Sequence, residues 1–184
     1  MRILAIDPGN IESGFCVLNG YKPIEVNKVR NEDIESVLFN LDYFDKCKTV
    51  VIEMVESYGM PVGREVFDTV RWIGKFEAYA EKYLMDVEFV TRKEEKLAIC
   101  HSMKANDATI RQALVDRFAP GTPNHGKGTK KEKGFFYGFK ADMWSAFAVG
   151  VTYLDRNKEK KLEKSLNKLL INREKEQKTD EFSE

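Results

Sequence analysis

Three acidic residues sit where an acid is expensive or unexpected. Asp7 closes the apolar run RILAID immediately before Pro8-Gly9. Glu53 lies inside TVVIEMV, residues 49–55, which is apolar and β-branched almost throughout. Asp142 opens a stretch carrying Met143, Trp144, Ala146, Phe147 and Val149. An acid in a buried strand is costly unless it is paired or coordinates a metal, so Glu53 is the strongest of the three. Taken singly, Asp7 reads equally as a turn former before Pro-Gly. Asp142 reads equally as a cap or dipole partner of a helix. If the strands ending in Asp7 and Glu53 lie side by side, and the helix opened by Asp142 packs over their ends, the three carboxylates converge. Hard divalent cations such as Mg²⁺ take oxygen ligands of this kind, completed by water and a substrate phosphate.

The elements that must position these acids follow from periodicity. Residues 2–7 form a short buried strand and residues 14–18 (GFCVL) a second. Asn19-Gly20 is a hairpin signal, and residues 22–29 supply the third strand of an antiparallel meander. Residues 32–44 carry Ile34, Val37, Leu38 and Leu41 at helical spacing, with Asn31 as the expected cap. Residues 49–55 suit a central strand buried on both faces. Residues 64–83 read as a long amphipathic helix, with Val66, Val70, Ile73 and Phe76 beside Trp72. Residues 86–91 form another short strand, and residues 107–118 a helix on Ile110, Leu114 and Phe118. Residues 119–138, rich in Gly, Pro, Lys and aromatics, read as a long loop, and such loops in compact domains are usually functional or mobile. Residues 140–154 close the domain as an apolar helix. The class is α/β, a mixed five-stranded sheet with helices on both faces. Residues 1–155 form the expected domain. Residues 156–184 form a charged helical tail with Leu162, Leu166, Leu169 and Leu170 on one stripe. That stripe suits an appended helix or a partner-binding segment.

Thirty basic residues balance thirty acidic ones, so affinity for a polyanion has to come from a local patch. One such patch exists. Between residues 120 and 141, Lys127, Lys130, Lys131, Lys133 and Lys140 face only Glu132, with Phe135, Phe136, Tyr137 and Phe139 interleaved. Lysines there would contact phosphates and release counterions, and aromatics such as Phe136 and Tyr137 would stack on unpaired bases. Equally, the aromatics would anchor the loop to the core. Tyr58, just beyond Glu53, is a second candidate for probing bases. Cys16, Cys47 and Cys100 share no short ligand spacing, and with His101 and His125 they make a poor zinc set. They read as reduced, mostly buried thiols. No apolar run approaches the roughly 20 residues that span a bilayer. The opening MRILAIDPGN is unlike a signal peptide, so a cytoplasmic location is expected.

Three segments in order resemble the RuvC family of Holliday-junction resolvases, its phage-type members in particular. LAIDPGNIESGFCVL is similar to the family's first two strands, VVIEMV to its second acidic strand, and KADMWSAFAVGVTY to its last helix. The likeness covers roughly residues 2–155. It implies an RNase H-like fold, a homodimer, two Mg²⁺ or Mn²⁺ ions per active site, and cleavage of branched DNA such as four-way junctions. Asp7, Glu53 and Asp142 match family catalytic acids and metal ligands. Lys93 and Lys104 fall where the family has two functionally important lysines. The helix over residues 64–83 corresponds to one that contributes to the family's dimer interface. The implied chemistry is two-metal phosphodiester hydrolysis, with Asp7 bridging ions about 3.5–4 Å apart and Glu53 and Asp142 each holding one. One departure stands out. The family usually has a second acid three residues into the last helix, and here that position is Ser145. Asp107, a metal-ligand candidate that also reads as a helix cap, and Glu56 are the replacements within reach.

Three rival readings follow from the same residues. A nuclease of this fold could act on another substrate, such as a flap or an RNA–DNA hybrid. A binder of branched DNA could keep the fold without cutting, with Ser145 as its signature. An actin-like or sugar-kinase phosphotransferase shares the opening strands and a DPGNIESG turn, but needs two related domains, and nothing here duplicates the first half.

Overall fold

The computed structural model describes residues 1–41, 47–57, 59 and 61–181, with side chains to residue 171. It divides into two compact units, Met1–Tyr153 and Leu154–Glu184. In the first unit β1 (Arg2–Asp7), β2 (Glu12–Asn19) and β3 (Lys22–Arg30) form an antiparallel meander. β4 (Thr49–Met54) runs parallel to β1, and β5 (Asp86–Thr91) parallel to β4, giving the order β3-β2-β1-β4-β5. The strand content, its mixed pairing and its sequence order are those expected. The β2–β3 turn falls one residue late, on Gly20-Tyr21, because Asn19 already pairs with Lys22.

β1 is central, and Ile3, Leu4, Ala5 and Ile6 are wholly buried. Side chains alternate across a strand, so the two faces of the sheet bury different sets. On one face Leu4, Ile6, Phe15, Val17, Val50 and Ile52 form a single core with residues of two helices. These are Ile34 and Leu38 of α1 (Ile34–Asn40) and Ile73, Phe76 and Ala80 of α2 (Arg64–Lys82). Each of these side chains larger than alanine contributes roughly 1.5–3 kcal/mol relative to exposure. The other face meets the start of α5 (Ala141–Glu181). There a Cβ on Gly150 would come within 2.6 Å of Leu18 Cδ1 and 3.2 Å of Ala5 Cβ, so only glycine lets the helix lie this close. Helices therefore cover both faces, as expected.

Two local expectations are corrected. Asn31 does not cap a helix. It opens a short 3₁₀ turn, Asn31–Asp33, and is buried. Its amide donates to Gly9 O at 2.9 Å and accepts from Ser13 Oγ at 2.7 Å, which ties down the turn after β1. The helix expected over residues 32–44 is regular over Ile34–Asn40, and residues 42–44 lie outside the described residues. The segment after β5 is a further helix, α3 (Arg92–Cys100), that apolar spacing does not announce. Thr91 starts it with a reciprocal capping box: its hydroxyl accepts from Glu94 N, and Glu94 Oε2 accepts from Thr91 N at 2.7 Å. α4 (Asp107–Phe118) begins the same way, with Asn106 rather than Asp107 as its cap.

Residues 119–138 form an ordered lobe. Lys127 O accepts from Gly134 N at 3.0 Å, Gly126 O from Phe136 N at 3.0 Å, and Glu132 O from Thr129 N at 2.8 Å. A Cβ on Gly134 would stand 2.2 Å from Gly126 O, so the two arms touch through glycine. The lobe is fastened below by Phe136 and Phe139, which pack edge-on against Phe147 of α5.

In the second unit the leucines Leu162, Leu166, Leu169 and Leu170 are exposed on the helix. No helix among the described residues is long and apolar enough to cross a membrane.

Candidate active site

The parallel pairing of β1 with β4 decides where the acids meet. Ala5 lies opposite Val51 and Ile6 opposite Ile52, so the next residues, Asp7 and Glu53, fall side by side on one face. On the other flank Asp7 pairs with Gly14 of β2. A Cβ on Gly14 would stand 2.6 Å from Asp142 O and 3.0 Å from Asp142 Cβ. Glycine at this position thus lets the first turn of α5 rest directly on the sheet, and it delivers Asp142 beside Asp7.

The electrostatics of the pair are severe. Burial, then repulsion by Glu53 and a hydrogen bond shared with it, and then Asp142, push the Asp7 carboxyl up to about 8, against the pull of Arg92. Burial also raises Glu53, while Arg92 and the hydrogen bond from Asp7 act the other way. Near neutral pH the two carboxyls therefore share a proton, with Asp7 its holder. Asp142 is half-buried and ion-paired with Lys28 of β3 at 2.7 Å; Lys28 also reaches Glu12 at 3.2 Å. Both partners raise the lysine's affinity for its proton.

α3 completes the cluster. Arg92, its first residue, donates from Nη1 to Glu95 Oε2 at 2.5 Å and from Nη2 to Asp107 Oδ1. Glu95 is wholly buried, and burial, with repulsion from Glu53, holds its carboxyl well above the ordinary range. Two clefts open on this arrangement. One, of about 380 Å³, is lined by Asp7, Asn10, Glu12, Lys28 and Asp142. The other, of about 320 Å³, is lined by Arg92, Asp107, Arg111, Asp142 and Ser145. Asp142 borders both. Among the described residues no three acid, cysteine or histidine side chains form a ready-made metal cage. Asp7 and Glu53 are hydrogen-bonded to each other, Asp142 is paired with Lys28, and Asp107 with Arg92.

The structure thus brings together Asp7, Glu53 and Asp142, and it places Asp107 and Ser145 at the edge of the same cluster. It does not bring Lys93 or Lys104 to it. Both are exposed, and the cation among the acids is Arg92. Glu56 is exposed beyond the end of β4. In the lobe Lys130, Lys131, Lys133 and Lys140 are exposed and Lys127 half-buried. Tyr137 is exposed, with Lys133 Nζ 4.8 Å from its ring centroid. Phe136 is corrected: it is wholly buried against Phe139, Trp144 and Phe147, so it anchors the lobe and cannot stack on a base. Tyr58 lies outside the described residues. Sequence reasoning missed Arg92, Glu95 and Lys28. The first two had a signal in the capping box Thr91-x-x-Glu94, which marks the start of their helix.

A three-strand meander, a parallel pair carrying acids at adjacent ends, and a helix bringing a third acid define an RNase H-like fold. RuvC-type resolvases are among the solved structures that share this fold. The chain superposes on RuvC of Thermus thermophilus with a TM-score of 0.65 at 14% identity, covering 86% of this chain and 96% of that one. T. thermophilus RuvC in complex with a Holliday junction substrate gives 0.62 at 17% identity, with the same coverages of 86% and 96%. The yeast mitochondrial Holliday junction resolvase gives 0.54 at 10%, covering 92% and 86%. No family model matches the sequence. No curated protein sequence matches it either.

Proposed function

We propose that this chain is a metal-dependent endonuclease that cuts branched DNA, four-way junctions above all, and that it works as a homodimer with two active sites. The observation that carries the reading is the half-buried Asp7–Glu53 pair at adjacent strand ends, with Asp142 held beside it by the glycine contact at Gly14. The shared fold supports the substrate: the T. thermophilus relative was solved with a Holliday junction substrate, and the yeast relative is a Holliday junction resolvase.

The donor set fits a hard divalent cation. Carboxyls crowded until Asp7 titrates near 8 carry an electrostatic deficit that such a cation relieves. Asp7, Glu53 and Asp142 would hold Mg²⁺ or Mn²⁺, two ions per site, with Asp107 the further candidate where Ser145 offers only a neutral oxygen. When bound, such ions acidify an attacking water and stabilise the leaving oxygen of a phosphodiester. The chain's own cations do the remaining electrostatic work. Arg92 already stands among the acids and would offset phosphate charge; Lys93 and Lys104, exposed and outside the cluster, would do so only where a bound strand extends to them. The lobe lysines Lys127, Lys130, Lys131 and Lys133 would track the DNA backbone, while exposed Tyr137, and Tyr58 past β4, would probe unpaired bases.

The test is cleavage of a labelled four-way junction beside linear duplex, flap and RNA–DNA hybrid, in Mg²⁺ or Mn²⁺. Paired symmetric cuts in the junction, absent from an Asp7→Asn protein, are expected. Cutting confined to another substrate overturns the junction assignment and keeps the chemistry; tight junction binding with no cutting in either metal overturns the enzyme.

A further inference from the structure

Glu95 is the acid for which the mechanism above has no use, and its setting is costly. It is wholly buried, and although Oε2 accepts from Arg92, Oε1 has no hydrogen-bond partner among the described residues. A buried carboxylate oxygen with nothing to bind is a defect in a stable protein unless something else occupies it. Its place in the fold says what that is. Glu95 lies close enough to Glu53 and Asp7 to be repelled by both, and the positive charge of Arg92 acts on all three carboxyls. That guanidinium is shared in turn with exposed Asp107. Negative charge therefore exceeds positive around this one guanidinium, and Ser145 at the edge of the cluster adds only a neutral oxygen.

We propose that Glu95 is a carboxylate ligand of the metal centre, presenting its unpartnered Oε1 to a divalent cation beside Glu53 while Oε2 stays on Arg92. This rests on the nuclease reading above. The extra carboxylate comes from α3, and Arg92 is the positioning residue that fixes its orientation. One oxygen on the cation and one on a guanidinium is a common way for a carboxylate to serve a hard metal, since each oxygen then meets a positive partner.

The test is calorimetric titration of Mn²⁺ into the full, metal-stripped chain, without DNA, for wild type, Glu95→Gln and Asp7→Asn. Glutamine keeps the size of the side chain and still accepts from Arg92, but carries no charge to a cation. Glu95→Gln is expected to weaken Mn²⁺ binding at least about tenfold, the lower end of what losing a metal-site partner does. Its metal-free thermal midpoint should stay close to wild type, because glutamine keeps the hydrogen bond from Arg92 and is not repelled by Glu53. A Glu95→Gln protein that binds Mn²⁺ as wild type does, or that loses metal-free stability at unchanged affinity, would show Glu95 to be only an anchor for Arg92. If Glu95→Gln does not fold, Glu95→Asp takes its place: it keeps the charge, withdraws Oε1, and must also weaken binding. Unchanged binding in the Glu95 variant beside weakened binding in Asp7→Asn overturns this inference alone. A wild-type chain that takes up no Mn²⁺ overturns both.

Discussion

The acid cluster and the basic lobe solve opposite problems. At the cluster, like charges are forced together by backbone register: once Ile6 faces Ile52, Asp7 and Glu53 have nowhere else to be. In the lobe, like charges are kept apart. Lys130, Lys131 and Lys133 stand in solvent on a glycine-jointed loop whose aromatic foot, Phe136 and Phe139, is buried against α5. Burial makes the first group strongly perturbed and specific. Exposure leaves the second screened by salt and collectively useful. On the function proposed above, chemistry would be concentrated at the sheet's end and affinity spread over the surface.

That contrast can be broken at its strongest point first. Asp7→Asn should reduce cleavage by about a thousandfold, the scale of removing a preorganised charge from a reacting centre. Its junction affinity in a gel-shift assay should barely move; a large loss of binding instead would merge the two regions' roles. Next comes the lobe's foot. Phe136→Ala should cost about 3–5 kcal/mol in denaturant unfolding, because a wholly buried ring leaves a cavity. Tyr137→Ala, at an exposed ring, should cost under about 1 kcal/mol.

The pH dependence separates the regions further. Asp7 keeps its proton in the folded chain up to about 8 but releases it near its usual value of 3.8 when unfolded. Between those values the folded state holds more protons, so the stability of the metal-free chain should fall as pH rises from about 4 to about 8. Thermal melts across that range should show the slope, and Asp7→Asn should flatten it. A wild-type melt that strengthens with pH over the same window would contradict the buried pair. The smallest effect belongs to the lysines. Replacing Lys130, Lys131 and Lys133 with alanine should lower the salt slope of duplex binding by about 0.9 for each phosphate no longer neutralised, with little change in melting.

Much of this was legible in the sequence, for reasons that can be stated residue by residue. RILAID and TVVIEMV are short, apolar and interrupted by one acid each, so both the strands and the cost of burying their acids could be read directly. α3 was not legible because its sequence, RKEEKLAIC, looks like a solvated charge run and its Leu97 is in fact exposed. Periodicity finds helices that bury an apolar stripe; this one buries a glutamate. Asn31 misled because a residue before a helical pattern is usually read as its cap, whereas here its amide serves a turn far away in sequence. Phe136 and Tyr137 are adjacent aromatics in a loop without period, and nothing local says which one faces inward. The packing of Phe135, Phe136 and Phe139 around Phe147 decides it.

The parallel seam between β1 and β4 also dictates an order of assembly. β1 can pair with β2 and β2 with β3 through short turns, but β1 meets β4 only after the chain has closed a loop containing the whole meander and α1. Long-range parallel pairing of this kind forms slowly, because loop closure comes before the contacts that reward it. Asp7 and Glu53 therefore stay apart until that seam is drawn, and a chain that has only its meander does not yet hold the two acids side by side.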